Sequence, residues 1–199
     1  MITIIDYGMG NLRSVQKALE SQGAKARISQ SPKDIKAADK LVLPGVGAMQ
    51  PAMKKLHSLS LVGPIKDFIA SERPFLGICL GLQLLFETSE EGGKVRGLGI
   101  LKGNVKRFKK LKIPHMGWNT LKITANRCPL FTGITDKSYV YFCHSYFVSP
   151  KDKSAVAATT EYGVNFTSAI WKKNIYAIQF HPEKSQDVGL KILNNFVNL

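Results

Sequence analysis

The sequence predicts a single α/β domain over residues 1–199: a mixed, mostly parallel central sheet with helices on both faces and antiparallel additions in the C-terminal half. Three observations carry that expectation. Up to about residue 90, short apolar runs alternate with stretches of helical spacing, as strands alternate with crossover helices. After Gly92 the texture changes to closely spaced β-like runs. A chain of 199 residues, 44% hydrophobic and 21% charged, is long enough for one well-buried core and too short for two comfortable ones.

The elements follow in order. "ITII" (2–5) reads as a buried strand running into a glycine loop, "DYGMGN". "LRSVQKALESQG" (12–23) has helical spacing and a stop at Gly23. "KARIS" is a short strand, and "SPKDIKAA" opens a helix with a serine cap and a first-turn proline. "KLVLPGVG" is a strand entering a second glycine loop, followed by helices at about 48–57 and 61–71. "RPFLGI" is a buried strand and "LGLQLLFETS" a helix. Beyond Gly92, "LGILKGNVKRF", "WNTLKIT", "SYVYFCHSYFV", "SAVAATT", "FTSAIWKKN" and "IYAIQF" read as hairpins and late sheet strands, before a closing helix in "SQDVGLKILNNFV". No repeat or low-complexity tract interrupts the chain.

The N-terminus has no basic segment ahead of its short apolar run, so no signal peptide is expected. No window approaches a membrane span. Three widely spaced cysteines cannot all pair, and a reducing cytoplasm is the expected compartment. The net charge of +14 is the unusual global figure. Its densest run, "KRFKKLK" (106–112), has three readings: a solvated hairpin with Phe108 and Leu111 turned inward, a nucleic-acid face, or an electropositive flank for a partner or phosphorylated ligand. No RNA-binding aromatic signature accompanies it, so neither a specific nucleic-acid partner nor a membrane is expected.

Chemistry concentrates in "PFLGICLGLQLLFE" (74–87), where Cys79 is flanked two residues either way by Gly77 and Gly81. G-x-C-x-G at a strand-to-helix junction is the thiol version of a nucleophile elbow, whose crowded turn excludes side chains at those positions. A helix N-terminus there favours the thiolate and offers the N–H of Leu80 to a developing oxyanion. The alternative is a packing cysteine in a glycine-containing core turn. A cysteine nucleophile requires a base. His181 in "AIQFHPEKS" follows a buried strand, and Glu183, two residues on in an extended Pro-containing segment, is placed to orient it. A strand-end histidine beside a surface glutamate is the alternative. His57 is expected to be exposed, Cys143 and His144 to face opposite sides of a strand, and Cys128 to lie in a loop. No metal is assigned, for want of ligand spacing, and no cofactor, because the glycine loops fit neither a dinucleotide fingerprint nor a P-loop.

"GICLGLQLLFE" together with "FHPEKS" resembles the class I, triad-type glutamine amidotransferases over essentially the whole chain. The resemblance implies that family's fold, Cys79 as nucleophile, His181 as base and Glu183 as its orienter. "DYGMGNLRSV", "LPGVGA", "PHMGWN", "YFCHSY" and "HPEKS" are similar to the glutaminase subunits of imidazole glycerol phosphate synthase. That implies hydrolysis of L-glutamine to glutamate and ammonia, with the ammonia passed through a (β/α)₈-barrel cyclase partner in a heterodimer of histidine biosynthesis. It also implies an oxyanion and glutamine site at Gly45, Val46, Gly47, Leu80, Gln83, His144, Ser145 and Tyr146. "PHMGWN", mixing polar and apolar residues beside a glycine, reads on its own as a contact surface with an aromatic anchor. The resemblance sets His115, Met116, Trp118 and Asn119 against the cyclase, with Asn11 and Lys184. Val46, β-branched, stands where the second oxyanion donor is needed. A peptide resting there with its carbonyl inward leaves the isolated chain nearly silent until partner and ligand bias it. Two rivals remain: a glutaminase of pyridoxal phosphate synthase, against which "PHMGWN" and Lys184 argue, and a non-catalytic binding module on the same fold.

Overall fold

The computed structural model describes residues Met1–Leu199. Its first half is wound as a parallel sheet. Strands β1 (Ile2–Ile5), β2 (Ala26–Ser29), β3 (Lys40–Leu43) and β4 (Phe75–Ile78) pair in parallel in the order β2-β1-β3-β4. They are linked by α1 (Leu12–Glu20), α2 (Pro32–Ala37), and the successive helices α3 (Met49–Ser58) and α4 (Val62–Ala70). Both faces of these strands are covered, so "ITII" and "FLGI" are buried at every position. Ile35, Met49, Leu56, Ile65 and Phe68 from α2, α3 and α4 fill one core layer. Val15 and Leu19 from α1, with Ile192, Leu193 and Phe196 from the C-terminal helix α6 (Gln186–Val197), fill the other.

After α5 (Leu80–Leu84) come β5 (Phe86–Ser89), β6 (Val95–Arg96), β7 (Leu101–Arg107), β8 (His115–Thr120), β9 (Lys122–Ile123), β10 (Tyr139–His144), β11 (Tyr146–Pro150), β12 (Val156–Glu161), β13 (Asn165–Lys172) and β14 (Ile175–Ile178). The last strand is the hinge of the topology: β14 inserts parallel to β4, extending the parallel half to five strands, and pairs antiparallel with β13. From there the sheet continues β13-β11-β7-β5-β6, antiparallel except for β5 with β7, with β12 branching off β13 and β9 pairing with β12. Strands β8 and β10 stand apart as a two-stranded antiparallel ribbon.

Three local expectations are corrected. The helix of "LGLQLLFETS" stops at Leu84, because Phe86–Ser89 pairs with β7 and Leu101 N–H bonds to the Leu85 carbonyl. Long-range pairing here overrides local helical spacing. Leu111 points outward, 63% exposed at φ 61°, while Phe108 is buried among Phe147, Tyr162 and Phe166. The basic run therefore ends a strand and turns into a loop anchored by a single aromatic residue. Ser31 holds the position before α2, but its side chain makes no cap bond; the Ser29 hydroxyl accepts from Ser31 N–H instead.

Candidate active site

Parallel strands deliver their loops to one edge of the sheet, and the candidate groups come from the carboxyl ends of β1, β3, β4 and β14. The turn after β4 is as crowded as its two glycines predict. A Cβ on Gly77 would lie 2.9 Å from the Gly81 carbonyl oxygen, and one on Gly81 would collide with the Leu43 carbonyl oxygen at the end of β3. Cys79 itself adopts φ 55°, ψ −106°, an unfavourable backbone for a residue with a side chain. Its N–H is fixed by the Ile178 carbonyl at 2.8 Å. Its sulfur reaches the Cys143 carbonyl at 3.9 Å and receives the Gln179 side-chain N–H at 3.6 Å.

His181 follows β14. Its N–H donates to the Tyr141 carbonyl at 2.9 Å, and its Nδ1 lies 2.9 Å from Glu183 Oε1. The segment between them is a 3₁₀ turn over Pro182–Lys184, where an extended chain was expected. Proline's fixed φ suits the first position of such a turn, and Ser185 Oγ closes it by donating to the His181 carbonyl at 2.6 Å. The Glu183 side chain is 1% exposed, and its second oxygen, Oε2, has no partner. Burial works against the charge of His181, yet the Cys79 sulfur and the Glu183 carboxylate outweigh it and push the imidazole up from 6.5 to about 10. The same two partners favour the protonated imidazole, the form a thiolate–imidazolium pair uses.

The loop after β3 faces this pair. The Leu80 N–H donates to the Gly45 carbonyl at 3.4 Å. A trans peptide opposes its carbonyl and N–H, so the Val46 N–H points away from that side. The loop is braced from beneath by Tyr7, wholly buried, whose hydroxyl donates to the Pro44 carbonyl at 2.9 Å. Burial, with the Cys79 sulfur as a smaller cause, raises the Tyr7 phenol well above its usual range, so it remains a donor. A Cβ at Gly45 would strike that hydroxyl. Sequence alone does not point to Tyr7: "DYGMGN" reads as a glycine loop without a fingerprint.

A cavity of about 420 Å³ opens between these elements. Val46, Gly47, Cys79, Leu80, Gln83, His144, Ser145, Tyr146, His181 and Lys184 all line it, together with Ala48, Glu91, Pro114 and Cys143. Gln83 is buried and held by the Tyr146 carbonyl at 3.0 Å. Glu91, absent from the sequence reading, accepts the Met49 N–H at the start of α3. Behind the cavity, His144 Nδ1 meets the Tyr146 carbonyl at 2.8 Å, and His144 Nε2 meets His115 Nδ1 at 3.0 Å. Burial holds both rings neutral, His115 at about 4 and His144 at about 3. A neutral His144 must then carry its proton on Nδ1, His115 on Nδ1 as well, and Asn119 donates to His115 Nε2 at 3.3 Å.

His115 was expected on a contact surface. Strand alternation turns it inward instead, 3% exposed, between Phe142 and Tyr162. Asn119 shares that inner face and also donates to the Glu161 carbonyl. Met116 and Trp118 stand on the outer face, 60% and 47% exposed, beside Tyr141 and Tyr139 of β10. Lys184 Nζ lies 5.7 Å from the Tyr141 ring, and Asn11 is exposed at the head of α1. Cys143 and His144 alternate across β10, Cys128 is buried, and no cluster of three or more His, Cys, Asp or Glu side chains is placed to hold a metal ion. The basic run borders a separate cavity of about 360 Å³, with Lys106, Arg107, Lys109 and Lys110 over Phe108, Phe147 and Tyr162.

A thiol on a strained elbow, a protonated histidine held by a buried carboxylate and a backbone N–H at a helix start are the parts of an acyl-transfer site. The family profile for glutamine amidotransferase class-I matches residues 3–199. The chain belongs to the class I glutamine amidotransferases. Among curated members of this family, it is 54% identical to imidazole glycerol phosphate synthase subunit HisH of Syntrophotalea carbinolica, over 98% of each chain. It is 53% identical to the HisH subunit of Geobacter sulfurreducens, over 98% of this chain and 97% of that one. Solved amidotransferases share the fold at low identity. A glutamine amidotransferase superposes with a TM-score of 0.78 at 16% identity over the whole of both chains, and PurLQS from Thermotoga maritima with 0.80 at 18%, covering 99% and 97%. No helix is long and apolar enough to cross a membrane.

Proposed function

We propose that this amidotransferase is the glutaminase subunit of an imidazole glycerol phosphate synthase, working in histidine biosynthesis as a heterodimer with a (β/α)₈-barrel cyclase. The Cys79 thiolate attacks the side-chain amide carbon of L-glutamine, and the carbonyl electrons move onto oxygen. His181 protonates the amide nitrogen, which leaves as ammonia as the C–N bond breaks and the carbonyl re-forms as a thioester; it then takes a proton from the water that opens the thioester, releasing glutamate and the thiolate, while Glu183 fixes the ring. Leu80 N–H and the Gly45–Val46 peptide serve the oxyanion. Glu91, a carboxylate on the cavity wall, suits the α-ammonium of an amino-acid substrate. Ammonia leaves through the partner, which docks on the outer face of β8 and β10.

The observation that carries this reading furthest is the bond between Leu80 N–H and the Gly45 carbonyl. One oxyanion donor is occupied by the chain itself, and the second faces away. The nucleophile is complete while its transition-state support is not. Docking of the ligand-loaded cyclase turns the peptide over, a two-state shift that couples ammonia release to the presence of its acceptor. The test is glutamine turnover by the free chain, by the chain with cyclase, and with cyclase plus its nucleotide ligand. Rates should rise at each step; three equal rates would discard the switch.

A further inference from the structure

The structure assigns a further catalytic residue: we propose that Gln179 donates its side-chain N–H to the Cys79 sulfur and holds it as thiolate, with a polarity dictated by the backbone carbonyl of Tyr146. The inference rests on Cys79 being the nucleophile.

An amide side chain can present either end to a neighbour, so its direction has to be argued from the network. Here the network has an unambiguous end. A backbone carbonyl only accepts. Gln83 lies 3.0 Å from the Tyr146 carbonyl and must turn its nitrogen toward it. That same nitrogen lies 3.1 Å from the Gln179 side chain, which must answer with its oxygen. The only group Gln179 then has for the sulfur, 3.6 Å away, is N–H. Reversing any one amide places two donors or two acceptors face to face in a buried site. Gln179 is itself wholly buried, so no water substitutes for either contact.

Beside the His181 ring, the sulfur gains a second donor here. The one backbone group near it, the Cys143 carbonyl at 3.9 Å, accepts from a thiol and repels a thiolate. A hydrogen bond to the charged form favours that form. When the sulfur bonds to the amide carbon its charge passes to the oxyanion, and the N–H···S contact weakens. Gln179 therefore enlarges the population of thiolate while making each thiolate a somewhat weaker nucleophile. Its loss should be felt most at low pH and should fade as pH rises.

The experiment is the pH dependence of iodoacetamide alkylation of Cys79 in the full chain, read by mass spectrometry, for Gln179→Glu and Gln179→Met. Glutamine turnover with the cyclase is followed in parallel. Gln179→Glu keeps the size and the oxygen that Gln83 needs while replacing the donor by an acceptor. Gln179→Met removes both. Both profiles should move to higher pH by about one unit, Gln179→Glu further, with kcat/KM recovering toward wild type above the new midpoint. Wild-type profiles in both variants overturn the proposal. A shift in Gln179→Met alone assigns the effect to Gln83 and overturns it equally. Cys79→Ala is the separate control: turnover surviving in that protein removes the underlying reading, whereas its loss beside unshifted Gln179 profiles removes only this inference.

Discussion

At the elbow, a Cβ on Gly77 would strike the Gly81 carbonyl and one on Gly81 the Leu43 carbonyl of β3, while the Cys79 N–H is bonded to Ile178 of β14. Across the cavity, the loop Gly45–Ala48 carries Val46 43% exposed and turns its Gly45 carbonyl inward. The first region is fixed by close packing; in the second, one long hydrogen bond of 3.4 Å turns the Gly45 carbonyl toward Leu80, the orientation that the proposed switch would reverse. Strain at Cys79 is tolerable because packing over-determines it. The loop has a fixed foundation, the Tyr7–Pro44 bond, and an exposed face at Val46. A site divided this way keeps its nucleophile in place while leaving its rate open to control.

The comparison can be broken most directly at the nucleophile. Cys79→Ser should keep the fold and lower glutamine turnover by about 10³-fold or more, while the partner still works with added ammonium salts. Retained turnover in a steady-state assay would remove Cys79 from the mechanism. Next is the loop: cyclase plus ligand should raise turnover by about 10²–10³-fold over the free chain, the size of an oxyanion donor gained. Third come paired substitutions. Gly81→Ala should cost about 3 kcal/mol in denaturant unfolding, since backbone must move. Gly47→Ala, at φ 87° beside only the flexible end of Met9, should cost about 1 kcal/mol. Equal costs would show the two regions to be equally rigid.

Two smaller effects sharpen the picture. His181 is raised from 6.5 to about 10, so the stability its pairing supplies is fully present below about pH 6.5 and lost as pH climbs through about 10. Glu183→Gln, which removes one cause of the rise, should therefore lose more stability at pH 6 than at pH 10.5; thermal melts at both values decide it. Finally, Trp118→Ala should weaken cyclase docking about tenfold in titration calorimetry, with Cys79 alkylated as in wild type.

Much of this was legible in the chain. Strand and helix alternation gave the parallel half because each buried strand is a continuous apolar run. G-x-C-x-G and H-P-E marked the candidate groups that the fold brings together, because each motif is a short local segment. What stayed hidden depends on distant partners. Nothing near Leu84 announces that Phe86–Ser89 will pair with β7. Nothing near His115 says which face of β8 meets the aromatic cluster. Tyr7 and Gln179 lay beside marked motifs, but their roles come from Pro44 and Cys79, residues far along the chain.

The ribbon of β8 and β10 carries one more consequence. Its pleat puts Met116 and Trp118 outside and His115 and Asn119 inside, while the Tyr141 carbonyl grips the N–H of His181. Two alphabets are thus written on opposite sides of one thin band. The outer residues can change without disturbing the inner ones, and a displacement of β10 is passed through that bond to His181.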